Sequence, residues 1–524
     1  MAIAVLATAT QGLATVARAA DTSARIAAIE RGDVIPTGPG TAPLRLGLRE
    51  LMDLYRVPGL SVAVIDNFNI VWAKGYGVTQ AGTSNPVTTH TLFQAGSVSK
   101  TVAAAGALSL VEQGVLGLDR DVNDNLVTWH LPASDFTSVQ KVTLRRILSH
   151  TSGLTVHGFD GYPRSGPVPT LVQILNGEKP ATNVPVRSVA VPGSAWRYSG
   201  GAVEVEQQLV MDVTGSAYPD AMRRLVLDKA GMNDSTFEQP LPASRAAFAA
   251  SGTDEHGHAL PGDWQVIPQM AAAGLWTTPT DLATFAIEIA RSVHGQSNRI
   301  LSTQMAQEML RPQVPRVAEL ALGNDAHPDR MGLGFFLGDA TRPDLFGHIG
   351  DDPGFQAMLL MFGASGKGVA ILTNSPNGIS LGDYLIGRIA REYAWSEYVP
   401  PARHAIATNA ALLLVAQRSG LPAALQTYEK LRAKNVPGYP LDKNTLITLG
   451  YTIAGDGSLA DAIRVMTIAV RDNPDYWNAY DSLGEMYARA GNKQLAVQNY
   501  RKSLQLNPTS QTGLEALKAL GAST

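Results

Sequence analysis

The chain has no cysteine, which excludes disulfide cross-links, thiolate metal sites and a thiol nucleophile. It has almost no charge imbalance: 42 Lys and Arg against 45 Asp and Glu give a formal net charge of −3 over 524 residues. Such a surface offers no general attraction for nucleic acid or anionic lipid. Long apolar runs are missing as well, and no segment carries the ~18 consecutive apolar residues of a membrane-spanning helix. What the chain does have is 45% hydrophobic residues, enough for more than one packed domain of the usual ~100–200 residues.

The first residues carry a compartment signal. Ala2 to Ala14 is mostly small and apolar, and Ala17-Arg-Ala19 before Ala20-Asp21 has the small-residue pattern of a leader cleavage site. No Lys or Arg precedes Arg18, so residues 1–19 are read as the remnant of a secretory signal, with export or a bacterial periplasm as the expected location.

Periodicity then divides the chain. Gly59–Val78 reads as two β-rich runs broken at Asp66-Asn67, a hairpin. Residues 117–330 mix short helical pieces with Gly/Pro loops. Strand-like runs return at Gly332–Leu337, Leu345–Ile349, Phe355–Phe362 and Val369–Thr373, before a helix over Leu381–Tyr393. Strands at both ends of a helical middle predict an α+β domain over 20–398 whose sheet is built from both ends. Val399-Pro-Pro-Ala402 reads as a linker over 399–403. Beyond it, Leu483-Gly484, Tyr487, Gly491, Ala496, Tyr500, Leu504 and Pro508 fit the 34-residue tetratricopeptide pattern. Leu449-Gly450, Ala462 and Pro474 repeat it one period earlier. An all-α module over 404–524 is expected, able to bind a protein partner or to self-associate.

The densest chemical signal is Phe93-Gln-Ala-Gly-Ser-Val-Ser-Lys100, leading into an Ala/Leu-rich helix. Ser97 and Lys100 are three residues apart and share a helical face. A helix N-terminus, with its unpaired N–H groups and positive dipole end, favours a nucleophile or an oxyanion. A capped helix with a solvent-facing lysine would give the same four letters, so the rest of the chain decides. Three further patterns follow in order: Val142-Thr-Leu-Arg-Arg-Ile-Leu-Ser-His-Thr-Ser-Gly-Leu154, Trp196-Arg-Tyr-Ser-Gly-Gly201 and Phe346-Gly-His-Ile-Gly350.

With these four motifs, residues 45–395 resemble the serine β-lactamase and penicillin-binding-protein superfamily, on its class C-like branch with family VIII carboxylesterases and D-stereospecific peptidases. The resemblance implies an acyl-enzyme at Ser97, with Lys100 and Tyr198 sharing the proton shuttle, and no cofactor or metal. Which of the two is the general base stays open. Chemically the pairing is sensible: a serine hydroxyl needs a neighbouring base, and a cation beside a phenol, with desolvation of the amine, brings both proton affinities down. The resemblance further implies an oxyanion hole from the backbone N–H groups of Ser97 and Asp351, and substrate contacts at Gly200, His348 and Gly350.

Two departures narrow the substrate. Class C β-lactamases have Asn where Gly200 stands, and a Lys-Thr-Gly triplet where this chain has His348-Ile-Gly350. Both changes remove polar contacts to a β-lactam. The expected substrate is therefore a short-chain acyl ester. A D-amino-acid amide or peptide, or slow β-lactam hydrolysis, is the alternative. A reading of another class makes the chain a ligand sensor or scaffold that works through its helical module.

Other patterns compete for attention in the chain. His150 and His157 read as loop-stabilising residues. Asp119-Arg-Asp-Val-Asn123 opens like a calcium loop but has Asp124 and His130 where Gly and Glu are required. Gly378-Ile-Ser-Leu-Gly382 matches the nucleophile elbow of α/β-hydrolases. The only later histidine, His404, is 24 residues beyond Ser380, with no alternating strand-helix pattern between them. Asn374, at a strand end, is expected at the pocket mouth.

Overall fold

The computed structural model describes residues 21–35, 44–314, 330–339, 342–398, 405–434, 441–455, 457–508 and 510–523. The expected signal remnant over 1–19 and the expected linker over 399–403 lie outside the described residues. Two compact units emerge: the described part of Met1–Ile29 with Tyr55–Val399, and Glu30–Leu54 with Pro400–Thr524.

In the first unit the core is a seven-stranded antiparallel sheet. Its strands in chain order are β1 (Gly59–Asp66), β2 (Asn69–Gly77), β3 (Arg330–Met331), β4 (Phe336–Leu337), β5 (Leu345–Asp352), β6 (Phe355–Phe362) and β7 (Lys367–Thr373). Their order across the sheet is β2-β1-β7-β6-β5-β4-β3, so an N-terminal hairpin pairs with a C-terminal meander through β1 and β7. The β1–β2 turn is tight because Asn67 and Phe68 both take positive φ, 49° and 57°, the backbone that suits a two-residue hairpin. The fourth motif ends less abruptly than its glycine suggests, since β5 runs two residues past Gly350 to Asp352.

Four longer helices organise this unit: α1 (Ser99–Glu112), α2 (Gly200–Thr214), α3 (Pro279–Val293) and α4 (Gly378–Glu392). Alternation along β6 shows how the sheet is covered. Ala357, Leu359 and Met361 join the main core with Phe285 of α3, while Met358, one residue out of phase, faces Gly382 of α4. Helices therefore cover both faces. Phe285, Phe335 and Phe346 interlock with ring centroids 6.2 and 5.1 Å apart; each such burial stabilises by about 1.5–3 kcal/mol. Helix α1 is buried along Ser99–Leu110, as befits a helix apolar on every side.

The second unit is helical apart from a small hairpin, Asp33–Ile35 with Leu44–Leu46. A short helix, Leu48–Leu54, follows the hairpin. Seven helices complete it: α5 (Ala405–Ser419), α6 (Leu421–Lys434), α7 (Thr445–Gly455), α8 (Leu459–Asp472), α9 (Trp477–Arg489), α10 (Lys493–Leu506) and α11 (Gln511–Ala519). The expected boundaries put residues 30–54 with the α+β domain; they group instead with the helices. The physical reason is burial: Leu46, Leu48 and Leu51 are each at most 3% exposed, and this segment packs on α5.

Candidate active site

The chain reaches the first motif through Phe93–Gln94 and a 3-10 turn, Gly96–Val98, which runs directly into α1. Ser97 thus sits in the turn before the helix, and Lys100 in the first turn of α1. From there the Lys100 Nζ donates to Ser97 Oγ at 2.9 Å and to the carbonyl oxygen of Ala272 at 2.7 Å. Lys100 is 4% exposed, so its amine is held by these acceptors and not by bulk water.

Tyr198 covers the amine, with Lys100 Nζ 5.1 Å from its ring centroid. The ring is set by the start of α2. Ser199 caps that helix by accepting the Ala202 N–H at 2.9 Å, and its hydroxyl donates to the Thr155 carbonyl at 2.8 Å. Aromatic rings surround Tyr198: His150 at 4.2 Å, His157 at 5.1 Å, and Phe336 and His348 at 6.3 Å between centroids. His150 Nδ1 accepts the Ser199 N–H at 3.2 Å. Burial, with the nearby Lys100, His348 and His157, holds His150 well below the ordinary imidazole range, so it is a neutral acceptor. His150 and Val156 have φ of +56° and +66°, a left-handed backbone that non-glycine residues adopt at a cost.

On the opposite side, β5 brings its C-terminal end against the Ser97 turn. A β-carbon on Gly96, whose φ is +50°, would stand 2.5 Å from the Asp351 amide nitrogen. Only glycine admits the two backbones so close. His348, 3% exposed, lies 4.7 Å from the Phe336 ring centroid and donates from Nδ1 to the Ile349 carbonyl at 2.6 Å. It is packed under Tyr198, with little surface of its own. At the start of α2, a β-carbon on Gly200 would meet the His157 carbonyl at 3.0 Å and the Phe159 ring at 3.1 Å. The loop before α2 occupies the space a longer side chain would need.

Three buried carboxyls close to this site are invisible to motif reading. Asp352, beyond Asp351 on β5, is pushed up to about 8 by burial, against the opposing influence of Lys100 and the Gly96 amide. Glu204 and Glu206, on α2, are 0% exposed. Burial raises both, Glu206 to about 8 and Glu204 well above the carboxylate range. Nothing in the local pattern marks them, because a glutamate in a helix is ordinarily exposed. His150 and His157 were legible as loop residues, but not as neighbours of Tyr198.

Two expectations change. Asn374 is buried and donates to the carbonyls of Val78 and Thr79; it ties the end of β7 to the exit of β2 and does not face a pocket mouth. Ser380 lies in the first turn of α4, after a strand antiparallel to both its neighbours, which is not the parallel setting of a nucleophile elbow. Among the described residues no group of His, Asp or Glu is placed to hold a metal ion, and no helix is long and apolar enough to cross a membrane.

A serine bonded to a lysine at a helix mouth, roofed by a tyrosine and flanked by an antiparallel strand, defines a serine hydrolase of the penicillin-binding type. Residues 47–394 match the Beta-lactamase family, and the chain belongs to it. It is 28% identical over 371 residues to Penicillin-binding protein 4 of Amycolatopsis lactamdurans, covering 66% of this chain and 90% of that one. It is 27% identical over 246 residues to Unguisins hydrolase ungD of Aspergillus violaceofuscus, covering 43% of this chain. The chain spans only 40% of that relative's length and 35% of its counterpart from Aspergillus campestris. In fold it is similar to the octameric penicillin-binding protein homologue from Pyrococcus abyssi, with a TM-score of 0.55 and 23% identity over 66% of this chain and 76% of that one. It is also similar to the D-amino acid amidase from Ochrobactrum anthropi SV3, with a TM-score of 0.51 and 20% identity over 66% and 98%.

Proposed function

We propose that this hydrolase cleaves short-chain acyl esters through an acyl-enzyme at Ser97. The observation that carries the reading is the 2.9 Å hydrogen bond from Lys100 Nζ to Ser97 Oγ beneath the Tyr198 ring. Ser97 Oγ attacks the ester carbonyl carbon while its proton passes to the Lys100–Tyr198 pair. The tetrahedral oxyanion is held by the Ser97 and Asp351 N–H groups, each such donor contributing about 3 kcal/mol. Collapse expels the alcohol, which takes up the transferred proton. Water then loses a proton to the same pair and attacks the acyl carbon, releasing the acid and free Ser97.

The preference for esters rests on two positions. Gly200 supplies no amide side chain, and Phe159 packs where one would extend. His348 is buried under Tyr198 and supplies no exposed cation for a substrate carboxylate. Amide cleavage is the second reading, supported by the likeness in fold to the D-amino acid amidase. Active-site labelling tests the nucleophile: a fluorophosphonate should label the wild-type chain and Ser380→Ala but not Ser97→Ala. Persistent labelling of Ser97→Ala would refute the mechanism. A panel of p-nitrophenyl esters, D-amino-acid amides and β-lactams decides between the readings, with ester kcat/KM expected to be the highest.

The helical unit is read as a tetratricopeptide module for self-association or for a protein partner. Gly450 and Gly484, one 34-residue period apart, support this. A β-carbon on the first would press on Met466 at 2.8 Å, and on the second on Tyr500 at 3.2 Å, the small-against-large nesting of paired repeat helices. Sedimentation of the chain with and without residues 404–524 tests it: a lower mass for the shortened chain beyond the deleted residues is expected, and unchanged association would refute self-assembly.

A further inference from the structure

One buried carboxyl behind the site has no part in the chemistry above. Glu204 lies in the second turn of α2, 0% exposed. Its Oε1 accepts the Ala272 N–H at 3.2 Å. The carbonyl of the same Ala272 accepts from Lys100 Nζ at 2.7 Å. Lys100, Ala272 and Glu204 therefore form one hydrogen-bonded chain from the nucleophile's neighbour into the core. Gln207, three residues along α2, accepts the adjacent Ala271 N–H at 2.8 Å, so α2 grips two successive amides of the Met270–Ala273 turn that presents the acceptor to Lys100.

We propose that Glu204 is a positioning residue for Lys100, fixing the amine against Ser97 through Ala272. The inference rests on the Ser97 reading. The groups facing this carboxyl are Lys100 from α1, Glu206 on its own helix and Tyr218 just beyond it. Those facing Lys100 from other elements are His150, His157 and Asp352. Burial and Glu206 favour the neutral form of Glu204, and the Ala272 N–H and Lys100 oppose them. Glutamine at this position copies the neutral carboxyl in shape and charge.

Two substitutions in the full chain test the holding role. Glu204→Gln keeps an oxygen for the Ala272 N–H; Glu204→Ala removes it. With p-nitrophenyl acetate, Glu204→Gln should keep kcat at neutral pH within about threefold and leave the kcat/KM pH profile in place. Glu204→Ala should lower kcat by about tenfold or more with little change in KM. A folded Glu204→Gln that loses about tenfold or more in kcat would overturn the inference even if Glu204→Ala fails to fold, and so would an undiminished kcat in a folded Glu204→Ala. Fluorophosphonate labelling of the wild-type chain is the internal control. If Ser97 is not labelled, the nucleophile reading and this inference fall together. If it is labelled and either of those two results is found, this inference alone falls.

Discussion

A β-carbon on Gly350 would sit 1.9 Å from the carbonyl oxygen of Ala95. The end of β5 and the turn carrying Ser97 thus meet backbone to backbone, and their separation fixes where the Ser97 and Asp351 N–H groups stand relative to each other. Gly350→Ala must force the two segments apart. Overpacking of this kind costs about 1–3 kcal/mol, and displacing one of the proposed oxyanion donors costs about a hundredfold or more in kcat. The expected result is a folded protein with a lower Tm and nearly abolished ester turnover, measured by thermal melting and kcat on p-nitrophenyl acetate.

Gly200 offers a complementary test, of selectivity. Gly200→Asn alone should lower ester kcat/KM by about tenfold, because the new side chain competes with Phe159 and the His157 carbonyl for one space. Adding Phe159→Ala should restore folding stability and raise amide turnover relative to ester turnover. Equal effects on all substrates would show that this position does not select among them.

Stability should fall as pH rises through the neutral range. Glu206 is raised from its ordinary 4.5 to about 8 by burial, so between those values the folded chain holds a proton that the unfolded chain has lost. The unfolded state then binds fewer protons, and unfolding free energy decreases with increasing pH. Glu206→Gln removes this contribution. Its Tm relative to wild type should therefore be more favourable at about pH 8 than at about pH 5, with Asp352 still contributing a decline of the same sign. A pH-independent Tm difference would count against a buried neutral Glu206.

In the helical unit, Asp472 joins two helices. It accepts from Tyr428 of α6 at 2.9 Å and pairs with Arg432 at 2.9 Å and with Arg471 at 2.7 Å. Its side chain is 5% exposed, although both arginines are about half exposed. Asp472→Ala leaves the Tyr428 hydroxyl without this acceptor and should destabilise the unit by about 1–3 kcal/mol. A shift of the second transition in chemical denaturation, with ester turnover unchanged, is the expected signature.

Much of this arrangement is legible in the sequence. The Asp66-Asn67 break marked the β1–β2 turn because a two-residue hairpin needs residues that tolerate positive φ. The strands at both ends of the α+β region marked a shared sheet because apolar, β-branched runs separated by a helical middle have no other way to bury both faces. Ser97, Lys100 and Tyr198 stood out because each lies in a short motif tied to a helix start. The division at residues 30–54 was not legible: a three-residue strand and a seven-residue helix carry too little pattern to declare which core they join.

By itself, then, the sequence determined the order of the chemical motifs and the hairpin turn, since these are local demands of backbone conformation, whereas the glycines at 96, 200 and 350 answer to close approaches between distant segments. Tertiary structure alone decided what surrounds the Lys100 amine. A glutamate in a helix is ordinarily exposed, and only the packing of α2 against the Met270–Ala273 turn buries Glu204. His150 and His157 reach Tyr198 because the loop they flank folds back onto the start of α2, where Thr155 accepts the Ser199 hydroxyl. Proton affinities in this site are set by burial and by charges distant in sequence, and neither is a property of any local stretch of chain.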